Sequence, residues 1–129
     1  YFGEKDYQQF KIIESFVNKN HKFTKVIPCK TKREKNGIAY SSRNFLLSDN
    51  DKIIASKVYK LLKNKKNKLI KNKFLSKKIK SEIKNLGIKK IDYLEILNIK
   101  KIAKPYKKGF RYKIFVAYYL KGVRLIDNI

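Results

Sequence analysis

The sequence predicts an α/β chain: the tail of an α/β layer, followed by a small α+β domain with two helices on an antiparallel sheet. Three observations predict it. From Tyr1 to Cys29 a strand end, a helix-period stretch and a second apolar run follow one another. Two more stretches between Ser48 and Gly87 carry helical periodicity. After Gly87 the apolar residues form short runs of Ile, Tyr, Leu and Val, the composition of strands.

Tyr1-Phe2-Gly3 reads as the last step of a strand. With Tyr rather than Met at position 1, it leads us to expect a piece of a longer protein. Asp6 to Lys19 reads as a helix, with Phe10, Ile13, Phe16 and Val17 at helical spacing and Asp6 and Gln9 as a capping box. Taken without a partner layer, this helix is expected to leave Phe10, Ile13 and Val17 exposed and the chain poorly soluble. Phe23 to Cys29 reads as a strand centred on Val26 and Ile27. Lys30 to Leu47 is a polar loop around the turn signal Asn36-Gly37. Ser48 opens a second helix, with Asp51 three residues on and Ile54, Val58, Leu61 and Leu62 as its stripe. Lys63 to Lys73, almost all Lys and Asn, reads as a solvated helix end and connection. Leu75, Ile79, Ile83 and Leu86 mark a third helix stopped by Gly87. Ile91 to Leu97, Arg111 to Tyr119 and Val123 to Asp127 are the strands, the last two joined as a hairpin through Leu120-Lys121-Gly122.

Lys and Arg number 34 against 10 Asp and Glu, a formal charge of +24. Charge alone suggests a nucleic-acid or anionic-membrane partner. The basic residues are nearly all Lys, however, with Arg only at 33, 43, 111 and 124. Nucleic-acid readers favour the bidentate fork of Arg. Lys, Ile and Asn in abundance together are what an AT-rich coding sequence produces, and compositional drift is the preferred reading. Cys29 is the single cysteine, so an intrachain disulfide and a Cys-based zinc cluster are both excluded, and a reducing, cytoplasmic setting fits. No apolar run is long enough to span a membrane.

Two clusters could carry chemistry. Gly3-Glu4-Lys5-Asp6 sits where a strand meets a helix, the place where open α/β sheets bind ligands. Gly3 allows close approach to the backbone, Lys5 offers a point charge to phosphate, and the helix N-terminus adds oriented N–H groups. Gly3 is equally a turn residue, Asp6 a cap and Lys5 a solvated charge. Gln8 and Gln9 can reach a ligand or close the capping box. Ser41-Ser42-Arg43-Asn44 offers two hydroxyls and a guanidinium, a triphosphate cradle that would oppose charge on a leaving pyrophosphate, or else a polar loop with ordinary turn chemistry. Lys32-Arg33-Glu34 reads as a solvated charge run and His21 as a surface residue. Phe115, Tyr118 and Tyr119 read as sheet core.

The order of these blocks carries more than each block alone. Phe2-Gly3-Glu4-Lys5-Asp6-Tyr7-Gln8-Gln9 closely resembles the FGEKDxQQ segment of pantothenate synthetases (pantoate–β-alanine ligases). Thr31-Lys32-Arg33-Glu34, Asn36-Gly37-Ile38-Ala39 and Ser41-Ser42-Arg43-Asn44 resemble that family's TVRExDGLAxSSRN stretch, in order. Leu46 to Ser48, Ile91-Asp92-Tyr93-Leu94-Glu95, Val116-Ala117 and Arg124-Leu125-Ile126-Asp127-Asn128 are similar to its later blocks. Only about Asn64 to Lys90 matches in length and helical type alone.

The resemblance implies a Rossmann-like nucleotidyltransferase domain, ending here near residue 31, followed by a mobile C-terminal lid domain over 32–129. It implies an AMP-forming ligase that condenses (R)-pantoate with β-alanine through pantoyl adenylate, with ATP as substrate, Mg²⁺ accompanying it, and a cytoplasmic homodimer. By the same resemblance Gly3, Glu4, Lys5 and Asp6 line the ATP site and Gln9 takes the pantoate position. Tyr40, Ser41, Ser42 and Arg43 match the loop with the KMSKS-type role, and Lys32 falls at a nucleotide-contacting position where the family has Val. Lys5, Ser41, Ser42 and Arg43 are the expected catalytic groups. The family's HxGH-type motif and a second pantoate-binding Gln are not in these residues, so the chain by itself is expected to be inactive. The alternative reading is a small Lys-rich nucleic-acid-binding protein, and it rests on charge alone.

Overall fold

The computed structural model describes residues 1–72, 74–99 and 111–129. They form two units, Tyr1–Lys32 and Arg33–Ile129.

In the first unit, β1 (Phe2–Gly3) pairs in parallel with β2 (Pro28–Cys29), and Phe2 N–H donates to the Ile27 carbonyl at 3.0 Å. A 3₁₀ turn over Glu4–Asp6 leads into helix α1 (Tyr7–Asn20). Asp6 stands at the N-cap, but its side chain makes no capping hydrogen bond, so the predicted capping box with Gln9 does not form. The preceding 3₁₀ turn sets the entry of the chain instead. The buried positions of α1 are Tyr7 and Phe10. Ile12 and Phe16 are its exposed large apolar residues, at 62% and 57%, while Ile13 and Val17 are half-buried. This corrects the expected exposed set of Phe10, Ile13 and Val17, and it sets Phe16 apart from Phe10 although the two fall at helical spacing. The strand predicted over residues 23–29 shrinks to Pro28–Cys29, and Phe23 is fully exposed.

The second unit is built on helix α2 (Asp49–Lys71), helix α3 (Leu75–Asn85) and a sheet of β3 (Lys90–Asn98), β4 (Tyr112–Leu120) and β5 (Val123–Asn128) in the order β3-β4-β5. Both pairings are antiparallel, with a bulge in β3 between Ile91 and Tyr93. Ser48 caps α2 as predicted. Its hydroxyl accepts from Asp51 N–H at 3.2 Å, and the Asp51 carboxylate accepts from Ser48 N–H at 3.2 Å. The Ser48 hydroxyl also donates to the Asp51 carboxylate at 2.6 Å, and this bond, with the Ser48 N–H bond and the nearby Lys121, lowers the Asp51 carboxyl pKa against the opposing effect of desolvation.

Helix α2 continues well past Lys63, because its apolar stripe continues: Leu62 and Leu69, two turns apart, are both fully buried. Lys73, the last residue of the predicted connection, lies outside the described residues. Lys65 on α2 pairs with Glu82 on α3 at 2.7 Å. Val58, Leu62, Leu69, Ile79 and Ile83 pack with Ile88, Ile114 and Val116 into one cluster between helices and sheet. Tyr118 is buried in the sheet as predicted, and burial, with the charge of Asp127, pushes its hydroxyl well above the ordinary tyrosine value. The β4–β5 turn places Lys121 and Gly122 at positive φ, 46° and 83°, the two-residue hairpin geometry that matches strand twist.

Candidate functional site

In the first unit the structure keeps Gly3, Glu4, Lys5, Asp6 and Gln9 together on the strand end, the 3₁₀ turn and the first turn of α1. Gly3 has φ −70° and ψ 131°, a conformation open to any residue. A Cβ at this position would meet no described atom within 4 Å. Among the described residues neither a turn nor local packing requires a glycine here. Asp6, Gln8 and Gln9 present exposed side chains, and Glu4 and Lys5 are half-buried. His21 is exposed at the end of α1, its ring 5.8 Å from that of Phe16. Lys32 is exposed at the end of this unit.

The second unit carries the hydroxyl and guanidinium loop. Residues 33–39 form a tight turn closed by a bridge between Arg33 and Ala39. Gly37 holds φ +95°, and a Cβ there would run into the ring of Tyr59. Both constraints demand glycine. Arg33 is the anchor of the turn and not part of a solvated face. Its guanidinium donates to both carboxylate oxygens of Asp127, at 2.7 and 2.9 Å, to the Asn128 carbonyl at 3.1 Å and to the Gly37 carbonyl at 3.0 Å. It also lies over the Tyr59 ring at 4.3 Å. Burial pulls the Arg33 pKa down, but the hydrogen bonds and charge of Asp127 outweigh it and the net shift is upward.

From this anchored turn the chain runs through Tyr40 and Ser41 into a 3₁₀ turn over Ser42–Leu46. Ser41 Oγ accepts from Arg43 N–H at 3.3 Å, and the Ser41 carbonyl accepts from Asn44 N–H at 3.0 Å. Tyr40, Ser42 and Arg43 are exposed, and Ser41 is half-buried. Arg43 donates to the Arg124 carbonyl on β5 at 2.9 Å. Arg124 in turn donates to Asp92 at 2.7 Å. Beneath the loop, buried Asn44 donates through Nδ2 to Glu34 Oε1 at 2.6 Å and to the Ala39 carbonyl at 3.1 Å. An open cavity of about 460 Å³ is lined by Glu34, Tyr40, Ser41, Ser42, Asn44, Phe45 and Lys52. The Ser41 and Ser42 hydroxyls and the Lys52 ammonium are the donors this lining offers to an oxyanion, beside the Glu34 carboxylate and a largely apolar wall.

Of the cavity's lining, sequence reasoning singled out Tyr40, Ser41, Ser42 and Asn44 but not Glu34, Phe45 or Lys52, and Arg43, singled out with them, is not in the lining. Glu34 was read as solvated, yet it is half-buried against Asn44. The available signal was Gly37, which closes the turn that carries Glu34 back beneath the loop.

An α/β chain that ends in a small antiparallel domain and carries a hydroxyl–guanidinium loop defines the class. The chain belongs to the pantoate-beta-alanine ligase family, whose model matches residues 1–129. It is 35% identical to the pantothenate synthetase of Flavobacterium psychrophilum over all of this chain and 47% of that protein. It is 40% identical to the pantothenate synthetase of Buchnera aphidicola over 99% of this chain and 46% of that one. The chain therefore spans about half the length of the curated relatives it matches. The crystal structure of the Thermus thermophilus pantothenate synthetase superposes with a TM-score of 0.81 at 26% identity, over 100% of this chain and 48% of that chain. A pantoate-beta-alanine ligase from Francisella tularensis, complexed with beta-gamma ATP and beta-alanine, superposes with a TM-score of 0.68 at 33% identity, over 98% and 41%.

Proposed function

We propose that the chain supplies the C-terminal share of a site that condenses (R)-pantoate with β-alanine at the expense of ATP. A pantoate carboxylate oxygen attacks the α-phosphorus and pyrophosphate leaves. The β-alanine amine then attacks the acyl carbon of pantoyl adenylate, AMP leaves and the nitrogen gives up a proton. The observation that carries this reading is the Ser41-Ser42-Arg43 loop, whose two hydroxyls line an open cavity together with Lys52 in a member of this family.

In this reading the Ser41 and Ser42 hydroxyls and the Arg43 guanidinium hold the triphosphate and oppose the charge that grows on pyrophosphate. Arg43 keeps its Arg124 carbonyl partner and turns its remaining N–H groups to phosphate oxygens. Lys5 adds a point charge, and Gly3, Glu4 and Asp6 line the nucleotide with Lys32 and Tyr40. Gln9 offers its amide to pantoate. Residues 1–31 belong to the nucleotide-binding layer and 32–129 to the lid, and the enzyme is a cytoplasmic homodimer. Mg²⁺ keeps few protein ligands and travels with substrate phosphates. Among the described residues no group of three or more His, Cys, Asp or Glu comes together.

The test joins this chain to the remaining half of the Flavobacterium relative and measures pantoyl adenylate formed from Mg·ATP and (R)-pantoate. Lys5→Ala and Arg43→Ala are each expected to lower its formation by about 10²-fold or more. Undiminished formation in both variants would refute the site.

A further inference from the structure

We infer that Glu34 and Asn44 are positioning residues that hold the Ser41–Arg43 loop in its phosphate-ready shape, an inference that rests on the function proposed above. Neither needs to touch the nucleotide to matter. Asn44 is buried, and its Nδ2 carries two bonds, to Glu34 Oε1 at 2.6 Å and to the Ala39 carbonyl at 3.1 Å. Those bonds tie the far end of the loop, at residue 44, to its near end, at residue 39, and to the turn below it. Asn44 Oδ1 is buried without a partner among the described residues, so the amide is held by its Nδ2 end alone. The bond to a carboxylate is charge-assisted and stronger than a neutral one.

Glu34 is itself fixed. Its backbone N–H donates to the Ile38 carbonyl at 2.8 Å, its carbonyl accepts from Gly37 N–H at 2.8 Å, and its neighbour Arg33 grips Asp127 on β5. Arg43 reaches the same strand at the Arg124 carbonyl. The loop is therefore tied to β5 at two points, and the Glu34–Asn44 bond is the strut between them. A loop that must oppose phosphate charge gains most when its donors need no reorganisation, and a misplacement of about 1 Å can cost on the order of 10²-fold in rate.

Amide hydrogen exchange on the chain as it stands tests the strut. Glu34→Ala and Asn44→Ala are expected to speed exchange across residues 40–45 by about tenfold or more, the loss of one charge-assisted bond. Peptides covering Leu62, Ile83 and Val116 keep their protection. Glu34→Gln, whose carbonyl oxygen still accepts from Asn44, restores the loop. Asn44→Asp sets a second carboxylate against Glu34 and loosens the loop more than Asn44→Ala does. Unchanged loop exchange in Glu34→Ala, or faster exchange spread evenly through α2 and the sheet, would overturn the inference.

A second arm uses the chain joined to the remaining half of the relative. There Glu34→Ala is expected to raise KM for ATP by about tenfold, with KM for pantoate unchanged and Glu34→Gln near wild type. If Arg43→Ala cripples adenylate formation while Glu34→Ala leaves KM for ATP alone, the positioning role fails. If Arg43→Ala has no effect either, the proposed function fails, and the exchange result still decides the strut.

Discussion

The two units are built on opposite terms. The second, from Arg33 to Ile129, closes one apolar cluster between two helices and a three-stranded antiparallel sheet. The first, from Tyr1 to Lys32, has a two-stranded parallel sheet and one helix and buries only Tyr7 and Phe10 of its apolar side chains, although both units leave large apolar residues more than half exposed, Phe16 and Phe23 in the first and Phe45 and Phe74 in the second. Parallel sheets occur almost only with both faces covered, whereas an antiparallel sheet can pack on one face and leave the other to water. The second unit therefore fits its sheet type, and the first carries one helix beside a parallel pairing of only two residues per strand. The same contrast separates the candidate segment of each unit. The Tyr40–Arg43 loop is braced by its own unit through Arg33, Glu34 and Asn44. In the Gly3–Gln9 segment, the side chain expected to cap the helix caps nothing.

The sharpest way to break this comparison is to cut into each unit at an apolar helix position. Ile83 on α3 is fully buried, and Ile83→Ala is expected to cost about 2–5 kcal/mol in the unfolding free energy of the second unit. Phe16 on α1 is mostly exposed, and Phe16→Ser is expected to change stability by less than about 0.5 kcal/mol while reducing self-association. Denaturant unfolding read by circular dichroism, with light scattering for association, measures both. Equal losses at the two positions would mean that the first unit holds a core of its own.

Next in size comes the brace. Arg33→Ala leaves the Asp127 carboxylate half-buried and strips carbonyls from Gly37 and Asn128 of a donor. The pair is partly open to solvent, at 21% and 13%, so the cost falls below that of a fully buried pair, at about 2–3 kcal/mol. Arg33→Lys recovers little of it, because an ammonium cannot make the two-pronged contact or lie flat on Tyr59. A midpoint shift in urea for Arg33→Ala no larger than that of Lys32→Ala would remove Arg33 from the framework.

Much of the second unit could be read in the sequence, for physical reasons that are local. Ser48 and Asp51 form their cap from residues three apart, and Lys121-Gly122 makes its turn from two adjacent backbone conformations. What could not be read depends on distant partners. The strand over residues 23–29 was overestimated because an apolar run becomes a strand only where something pairs with it, and β1 offers two residues. The full length of α2 was hidden by its lysines, since Leu69 counts as core only once the helices and sheet close over it. In the site, Ser41, Ser42 and Arg43 were singled out as a cradle with ordinary turn chemistry as the alternative, and the shared order of the blocks, not their chemistry alone, favoured the site. Arg33 was not legible, because its partner Asp127 lies 94 residues away. Glu34 was not, because only the closed 33–39 turn brings it beneath Asn44.

The smallest expected effect is a pH dependence that separates the cores of the two units. Burial, helped by the charge of Asp127, raises the Tyr118 hydroxyl far above its ordinary value. Below pH 10 the proton is bound in both folded and unfolded chains, and Tyr118 adds no pH dependence. Above it the unfolded chain releases a proton that the folded chain keeps, so stability falls as pH rises, by about 1.4 kcal/mol per pH unit for one group. Lys66 on α2 works in the opposite sense. Burial and the nearby Lys113 lower its pKa, so stability rises with pH up to the unfolded lysine value. In the first unit, burial also raises Tyr7, partly offset by Lys11, but the shift is smaller and its window narrower. Urea unfolding between pH 9 and 11.5 should therefore show Tyr118→Phe abolishing most of the alkaline loss and Tyr7→Phe little of it. A larger flattening by Tyr7→Phe would place the better-sealed tyrosine, and with it the tighter core, in the first unit.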